Sequence, residues 1–274
     1  PPPPVPARAA APGAFWPLAG AAVIYVVCAG LELAMGRNPE VLAARSLALQ
    51  PAPWTQPVRL AYNMWNVQNE QVGTSACVLT PQAGAVAFDC LTRQRSFEAH
   101  LGQSMYAGGR YELAQTGRWD ASSMRLLEAD LKFTGEYSSW TARVGADPRG
   151  LPGLSLWLGD GAPSALPADA VIAAEWPMRM MALPFGRSAF FGSRFSQVLL
   201  AAGQETGQVA KTVVVVRGEE DLLTPPSGHA LAWKIAVGQQ TAWYAAEAPH
   251  LLLRYNDGLG VTWTVDLDSL DSGD

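Results

Sequence analysis

Residues that commonly carry chemistry are few and widely spaced in this chain. The three histidines are His100, His229 and His250, and none has a Cys, His or acidic neighbour at the spacing of a metal site. Ser188 lies in residues 186–190, which lack the second Gly of a nucleophile elbow. The sequence therefore predicts no catalytic residue, no metal and no cofactor, and it favours a protein that is not an enzyme.

Two acidic segments and the overall charge limit which classes of ligand and partner this chain could bind. Gly218-Glu-Glu-Asp221 predicts an acidic turn and residues 266–271 an acidic tail, and neither has the spacing of a calcium loop. The net charge is -5 and the Lys and Arg residues are scattered singly, whereas a surface that binds nucleic acid needs them clustered. We therefore expect no nucleic-acid partner.

Cys77 and Cys90 are spaced as a cross-strand pair in a β-hairpin. A hairpin closed by residues 82–85 places on one face the pairs Cys77 with Cys90, Leu79 with Phe88 and Pro81 with Val86. A disulfide between these cysteines would imply an oxidising compartment such as the periplasm or the cell exterior. The alternative is a pair of buried free thiols in a cytosolic domain.

Residues 14–36 are typical of a membrane span. Residues 14–31 carry no charge, and Glu32 is the only charged residue between them and Arg37. A helix over residues 14–31 is about 27 Å long, which matches the hydrocarbon core of a bilayer. The anchor residues are Phe15, Trp16, Leu18, Val23, Ile24, Tyr25, Val26, Val27 and Leu31. A retained helix, a cleaved signal peptide and a lipoprotein signal acylated at Cys28 are favoured in that order, and a buried core helix is a further alternative.

Charges and cysteines give opposite indications of the orientation of this span. Arg8 precedes it and Arg37 and Arg45 follow it, which favours a cytoplasmic C-terminal side. Cys77 and Cys90 favour export. Giving the cysteines more weight, we expect a single-pass protein of the inner membrane with its folded domain on the periplasmic side and the bilayer as one partner.

Alternation of apolar and polar residues predicts a mainly β fold after the span. Tyr62 and Met64 represent one such strand, residues 127–133 a second and residues 261–267 a third. The Asn256–Gly260 segment predicts a hairpin that pairs Leu253 with Trp263 and Leu251 with Val265. The predicted parts are a disordered tail (1–13), a transmembrane helix (14–36), a juxtamembrane helix and linker (37–53), an extracytoplasmic β domain (54–267) and an acidic tail (268–274).

The middle of the chain predicts a short helical insert. Asp169 caps a helix over Ala170–Trp176, which Pro177 interrupts. The apolar side chains that follow are Met178, Met180, Met181, Phe185, Phe190 and Phe191. This insert either plugs the core permanently, which we favour because Met and Phe clusters are usually packing, or forms a gate over a ligand.

Residues 196–267 resemble a known group of proteins. The segments that carry the resemblance are Val213–Glu219, Thr224–Gly228, Ala232–Ile235, Ala242–Glu247 and Pro249–Tyr255. They resemble an uncharacterised family of exported bacterial β-barrel-like proteins similar to the lipoprotein-localisation fold. The resemblance implies a half-barrel, a curved antiparallel sheet around a helical plug, and a cavity that could hold acyl chains.

These observations favour a binding protein over an enzyme. The first hypothesis is a non-catalytic accessory or scaffold subunit whose β domain docks on a larger integral-membrane protein complex. The alternative is a carrier or sensor of a lipid or another hydrophobic ligand, of the lipoprotein-localisation type. A carrier needs an apolar cavity and a mobile insert, whereas a scaffold needs an exposed apolar patch.

Overall fold

The computed structural model describes residues 45–147, 150, 153–172, 175–185, 193–200, 208–224 and 228–266. All of them belong to one compact unit, Ala44–Asp274. The strands are β1 (Arg45–Ser46), β2 (Val58–Asn66), β3 (Gln71–Gln82), β4 (Ala85–Gln94), β5 (Phe97–Leu101), β6 (Ser104–Gly108), β7 (Tyr111–Asp120), β8 (Leu126–Gly135), β9 (Ser139–Ala146), β10 (Leu154–Leu158), β11 (Ser164–Leu166), β12 (Ala170–Ile172), β13 (Ser193–Leu199), β14 (Gln208–Thr224), β15 (Gly228–Val237), β16 (Gln240–Ala245), β17 (Leu252–Asn256) and β18 (Val261–Val265). A short helix, α1 (Trp176–Arg179), continues into a 3-10 turn at Met180–Ala182.

The main sheet has 16 strands and is curved and nearly closed on itself. Its order is β1-β13-β14-β15-β16-β17-β18-β2-β3-β4-β7-β8-β9-β10-β11, with β12 also paired to β13. Neighbours are antiparallel, except that β1 and β12 run parallel to β13. Because β18 pairs with β2, the N-terminal and C-terminal meanders form one sheet. The prediction of a mainly β chain with a curved antiparallel sheet and a short helical insert is confirmed.

Side chains alternate between a buried inner face and a more exposed outer face. In β2, Leu60, Tyr62 and Met64 are each only 1% exposed, while the residues between them are partly exposed. Period-two alternation places every second side chain on the same face, so the pattern also fixes the register of each strand. The core lies inside the curve of the sheet.

The predicted inward face of β8 is wrong at one position. Ala129 and Leu131 are buried as expected, but Leu127 is 39% exposed and Leu126 is 4% exposed. The register shifts there: Arg118 pairs with Glu128, whereas the next residue of β7 pairs with Leu126. This β-bulge leaves Leu127 as the extra residue and turns Leu126 inwards.

The predicted register of the last hairpin is also wrong. Trp263 pairs with Tyr255, not with Leu253. The Asp257 carboxylate accepts hydrogen bonds from the backbone N–H groups of Leu259 (2.7 Å) and Val261 (3.0 Å), which stabilises a loop that starts one residue later than expected. The shift moves each partner by two positions, so the buried face of the hairpin is unchanged.

The segment before Trp54 belongs to the fold instead of linking it to a helix. Residues 45 and 46 form β1, and Leu47 and Leu49 pack on the core from a non-helical backbone. The Gln50 N–H donates to the Ala182 carbonyl at 2.8 Å. The predicted juxtamembrane helix is therefore wrong for residues 45–50, where alternate leucines turn inwards as in a strand. Its earlier part lies outside the described residues.

The helix predicted over Ala170–Trp176 is wrong as well. Residues 170–172 form β12 beside β13, and α1 begins at Trp176. Pro177 occupies the first turn of α1, where its missing N–H costs no hydrogen bond, so it starts a helix instead of interrupting one. Asp169 accepts hydrogen bonds from the Ser196 hydroxyl (2.7 Å) and the Lys211 ammonium (3.0 Å) instead of capping a helix.

The predicted tail, transmembrane helix and acidic C-terminus, at residues 1–13, 14–36 and 268–274, lie outside the described residues. Within the ranges that are described, no helix has the length and apolar character to cross a bilayer.

The bulge in β8 predicts that substitutions at two adjacent leucines affect stability to very different extents. Leu126→Ala removes a side chain that is 4% exposed, so we expect it to lower the free energy of unfolding by about 2–5 kcal/mol. Leu127→Ala shortens a side chain on the outer face and should change the free energy of unfolding by less than about 0.5 kcal/mol. Urea denaturation of both variants measures this, and a larger loss for Leu127→Ala would contradict the bulge.

Candidate functional site

The helix α1 and the turn after it fill the inside of the sheet. Met180 and Met181 are fully buried and Met178 is 5% exposed. The Trp176 indole N–H donates to the Gln240 side chain at 2.6 Å, and the Tyr244 hydroxyl donates to the Pro177 carbonyl at 2.7 Å. These bonds fasten the insert to β16.

A buried ion pair sits at the start of this insert. Arg179 lies one helical turn after Glu175, with 3.3 Å between Nη1 and Oε1, and both side chains are at most 4% exposed. The other Glu175 oxygen accepts the indole N–H of Trp119 at 2.5 Å, and Oε1 also accepts the Ile172 N–H at 3.1 Å. The pair therefore links α1 to β7 and β12.

The guanidinium of Arg179 uses backbone acceptors in addition to Glu175. Its Nε donates to the Met124 carbonyl at 2.5 Å and its Nη1 to the Ala170 carbonyl at 2.9 Å. Burial lowers the pKa of Arg179, and the adjacent Glu175 carboxylate opposes that effect. A charge this deep is tolerated because Nε and Nη1 both have acceptors, one of them a carboxylate, so we interpret this as a structural network.

A small polar cavity lies beside this network. It is bordered by Ser75, Thr92, Gln115 and Glu175, and its volume is about 10 Å³. Ser75 and Thr92 are hydrogen-bonded to each other at 2.8 Å. This space fits about one water molecule and has no room for an acyl chain.

The residues predicted to form an apolar insert or ligand gate divide into two groups. Met178, Met180 and Met181 lie in the core, and Phe185 stacks near Trp233, with ring centroids 6.1 Å apart. Phe190 and Phe191 lie outside the described residues. The gate interpretation stays a prediction.

Cys77 and Cys90 lie opposite one another on β3 and β4, in the register expected from the sequence. Leu79 pairs with Phe88 in the same ladder, which confirms the predicted hairpin. The two cysteines are bonded through their sulfur atoms, with Cα atoms 4.0 Å apart. A disulfide at this position fits the predicted cross-link.

The other residues considered for chemistry do not come together. His229 pairs with Asp221 at 3.0 Å near the end of the β14–β15 hairpin, and His250 Nδ1 lies 2.9 Å from the Ala245 carbonyl. His100 is on β5, and Ser188 lies outside the described residues. Among the residues described, no group of three His, Cys, Asp or Glu side chains could hold a metal ion.

The acidic turn predicted at Gly218–Asp221 is wrong, because this segment continues β14. Glu220 accepts a hydrogen bond from the indole N–H of Trp243 and another from the Lys234 ammonium, the latter at 3.1 Å. Lys234 and Arg254 each lie 5.2 Å from the Trp243 ring, on the outer face of the sheet. These contacts give Glu220 a structural role.

One end of the sheet carries the three most exposed large apolar side chains of the described ranges. Tyr137, Leu259 and Met105 are 88%, 71% and 64% exposed, and Leu101, on the opposite face of the same hairpin from Met105, is 60% exposed. Leu101 and Met105 belong to the β5–β6 hairpin, while the other two lie in the β8–β9 and β17–β18 turns. We call this surface the hairpin end.

Close contacts hold the parts of the hairpin end together. The Tyr106 ring packs on Gly260 so closely that a Cβ there would lie 2.5 Å from it. The Gln68 side chain donates to the His100 carbonyl at 3.2 Å, and the Ser96 hydroxyl donates to the Glu136 carboxylate at 2.7 Å. These contacts connect the β5–β6 hairpin to the neighbouring turns.

A groove of about 680 Å³ runs across the outer face next to the hairpin end. Its lining residues with charged or hydroxyl side chains on that face are Thr74, Arg93, Arg95, Arg110, Glu112 and Thr134, and Tyr111 borders it from the buried side of β7. We call it the arginine groove. Burial and the nearby Asp257 raise the pKa of Tyr111 to about 12, so its hydroxyl stays protonated at neutral pH.

Sequence reasoning missed both the ion pair and the groove. Glu175 and Arg179 are four residues apart within an otherwise apolar stretch, which is a usable signal for a buried pair. In the sequence, the arginines of the groove are separated by other residues and do not form a cluster. The signal available was the alternation of Arg93 and Arg95, which places both on one face of a strand.

Comparisons with known proteins find little. No protein-family model matches the chain, and no curated protein matches it significantly. A crystal structure of a DUF1089 family protein from Pseudomonas aeruginosa is similar with a TM-score of 0.36 and 17% identity, over 67% of this chain and 89% of that one. A likeness this weak carries no argument, and no comparison confirms the resemblance to the lipoprotein-localisation fold.

The buried pair predicts non-additive mutational effects. Glu175→Leu leaves the Arg179 guanidinium buried without its carboxylate, so we expect a loss of about 3–5 kcal/mol in the free energy of unfolding, and a similar loss for Arg179→Met. The double variant should lose less than the sum of the two, because it leaves no unpaired charge. Chemical denaturation of all three variants measures the coupling, and additive losses would contradict it.

The cross-strand position of Cys77 and Cys90 predicts a disulfide that protects both cysteines from alkylation. In a Cys28→Ala chain, we expect Cys77 and Cys90 to resist alkylation under denaturing conditions until a reductant is added. Their separation of 13 residues predicts that Cys77→Ala/Cys90→Ala lowers the free energy of unfolding by about 3 kcal/mol. Mass spectrometry after alkylation gives the first result, and labelling of both thiols without reductant would refute the cross-link.

Proposed function

We propose that this chain is a non-catalytic, membrane-anchored accessory subunit whose β domain docks on a larger membrane protein complex through the hairpin end. The observation that carries the proposal is that four large apolar side chains on the hairpins at that end are at least 60% exposed, with Tyr137 at 88%. Exposed apolar surface concentrated at one end of a domain is typical of an interaction site.

The filled interior supports this proposal over the carrier alternative. A cavity that holds a small molecule typically has about 300–1,000 Å³, whereas the interior cavity beside Glu175 has about 10 Å³. The methionines that could have gated a ligand are packed in the core. A solid domain with an exposed apolar patch meets the requirements of a scaffold.

The location follows from two sequence features. Residues 14–36 supply a retained anchor in the inner membrane, and the Cys77–Cys90 pair supports a periplasmic position for the domain. A tether raises the local concentration of the domain at its partner, so a modest apolar surface is sufficient for docking. The bilayer and an integral-membrane complex are therefore the partners we propose.

Charge substitutions at the hairpin end test the docking surface. We expect Leu101→Asp/Met105→Asp to abolish the larger assembly, because a carboxylate buried in an apolar interface costs several kcal/mol. Leu223→Asp is the matched control, since Leu223 is also an exposed leucine, at 63%, but lies on β14. Native mass spectrometry of chains extracted from their own membranes in mild detergent gives the assembly state and the intact mass together.

Three outcomes of this experiment would count against the proposal. A wild-type chain that is alone and carries bound lipid would favour the carrier. An assembly that survives the double substitution would exclude the hairpin end as the interface. An intact mass without residues 14–36 would remove the anchor.

A further inference from the structure

The arginine groove has a charge opposite to that of the whole chain. Its lining contains Arg93, Arg95 and Arg110 but one carboxylate, Glu112, whereas the chain has a net charge of -5. Cationic side chains concentrated in a concave site attract anions and raise their local concentration. We propose that this groove binds a phosphate group of a ligand, a role that goes beyond docking to a membrane complex.

The register of β4 and β7 brings the arginines together. Arg93 pairs with Glu112 and Gln94 with Tyr111, and the next residues along the two chains are Arg95 and Arg110. Alternation along each strand places Arg95 on the same face as Arg93 and Arg110 on the same face as Glu112, so all three arginines border the groove.

The donors of the groove are only partly used. Arg93 donates through Nε to Glu112 at 2.8 Å, and within the described ranges its terminal nitrogens make no hydrogen bond. The Arg110 side chain likewise makes no hydrogen bond or ion pair among the residues described, while Arg95 donates to the Gln71 carbonyl. Guanidinium donors form strong, often bidentate bonds with phosphate oxygens.

A second carboxylate near the groove, that of Glu136, is hydrogen-bonded to groups other than the arginine side chains. Glu136 accepts hydrogen bonds from the Ser96 hydroxyl at 2.7 Å and from the Arg110 backbone N–H at 3.3 Å. Hydrogen bonds from Ser96 and from the Arg110 backbone, and to a smaller extent the Arg110 charge, lower the pKa of Glu136, although no ion pair joins the two side chains in the described part of the chain. The hydroxyls of Thr74 and Thr134 complete the polar lining.

Phosphate fits this site better than a carboxylate. Several guanidinium groups around one site favour a group that carries more than one charge and three or more acceptor oxygens. A volume of about 680 Å³ also leaves room for the rest of the ligand. A phospholipid headgroup and a soluble phosphate ester present the same chemistry, so the experiment separates these two sources.

The test uses the full chain in non-ionic detergent, two groove variants and one matched control. Isothermal titration with glycerol 3-phosphate and with inorganic phosphate gives the soluble arm, and titration with phosphatidylglycerol and with phosphatidylcholine dispersed in the same detergent gives the lipid arm. Arg93→Gln and Arg110→Gln remove groove donors. Arg118→Gln is the control for Arg93, because Arg118 also pairs across strands with a glutamate, Glu128, at 2.7 Å, but lies outside the groove.

We expect saturable binding of glycerol 3-phosphate or of phosphatidylglycerol over phosphatidylcholine, weakened about tenfold by each groove variant and unchanged by Arg118→Gln. Binding in the first arm assigns a soluble ester, and binding in the second arm alone assigns a lipid headgroup. Absence of binding in both arms overturns the proposal, as does equal binding by Arg93→Gln/Arg110→Gln. An equal loss in Arg118→Gln would show non-specific attraction and also overturn it. Thermal melting of each variant shows that it is folded.

Discussion

The buried pair of Glu175 and Arg179 determines how the interior of this protein is organised. Desolvating two charges costs several kcal/mol each, and the cost is offset only if every donor and acceptor has a partner. Here the partners come from Trp119 on β7, Met124 in the β7–β8 turn and Ala170 on β12. One network therefore holds α1 against strands from both meanders, and displacing the insert would deprive the Trp119 indole N–H and the Met124 and Ala170 carbonyls of these partners.

The contacts of the insert are part of a wider set of hydrogen bonds inside the sheet. The hydroxyls of Tyr62 and Tyr244 are also used inside, each donating to a backbone carbonyl, and burial raises the pKa of both. Most polar groups described in this core are therefore partnered within the fold, and the buried side-chain nitrogens without a partner are Trp54 Nε1 and Arg254 Nε. On the outer surface, guanidinium donors of Arg93 and Arg110 are unused within the described ranges, and large apolar side chains are exposed at the hairpin end.

The sequence predicted the fold where local rules determine structure, and failed where a single interaction overrode them. The register of Cys77 and Cys90 follows from a two-residue turn with Gly84 at positive φ, so it was predictable. The β17–β18 register was not, because the Asp257 carboxylate holds the loop in a different form. The inward position of Leu126 depends on a bulge that hydrophobic alternation does not reveal.

The outer sites could not be predicted because they depend on register between segments that are distant in the chain. Arg95 and Arg110 flank the β5–β6 hairpin, which leaves the main sheet after β4 and returns the chain to it at β7. That excursion has two effects at once: its two ends place Arg95 and Arg110 in the lining of the same groove, and its strands carry Leu101 and Met105 out to the hairpin end. The charged site and the apolar surface are therefore neighbours through one insertion, and a change in the length of that hairpin would displace both together.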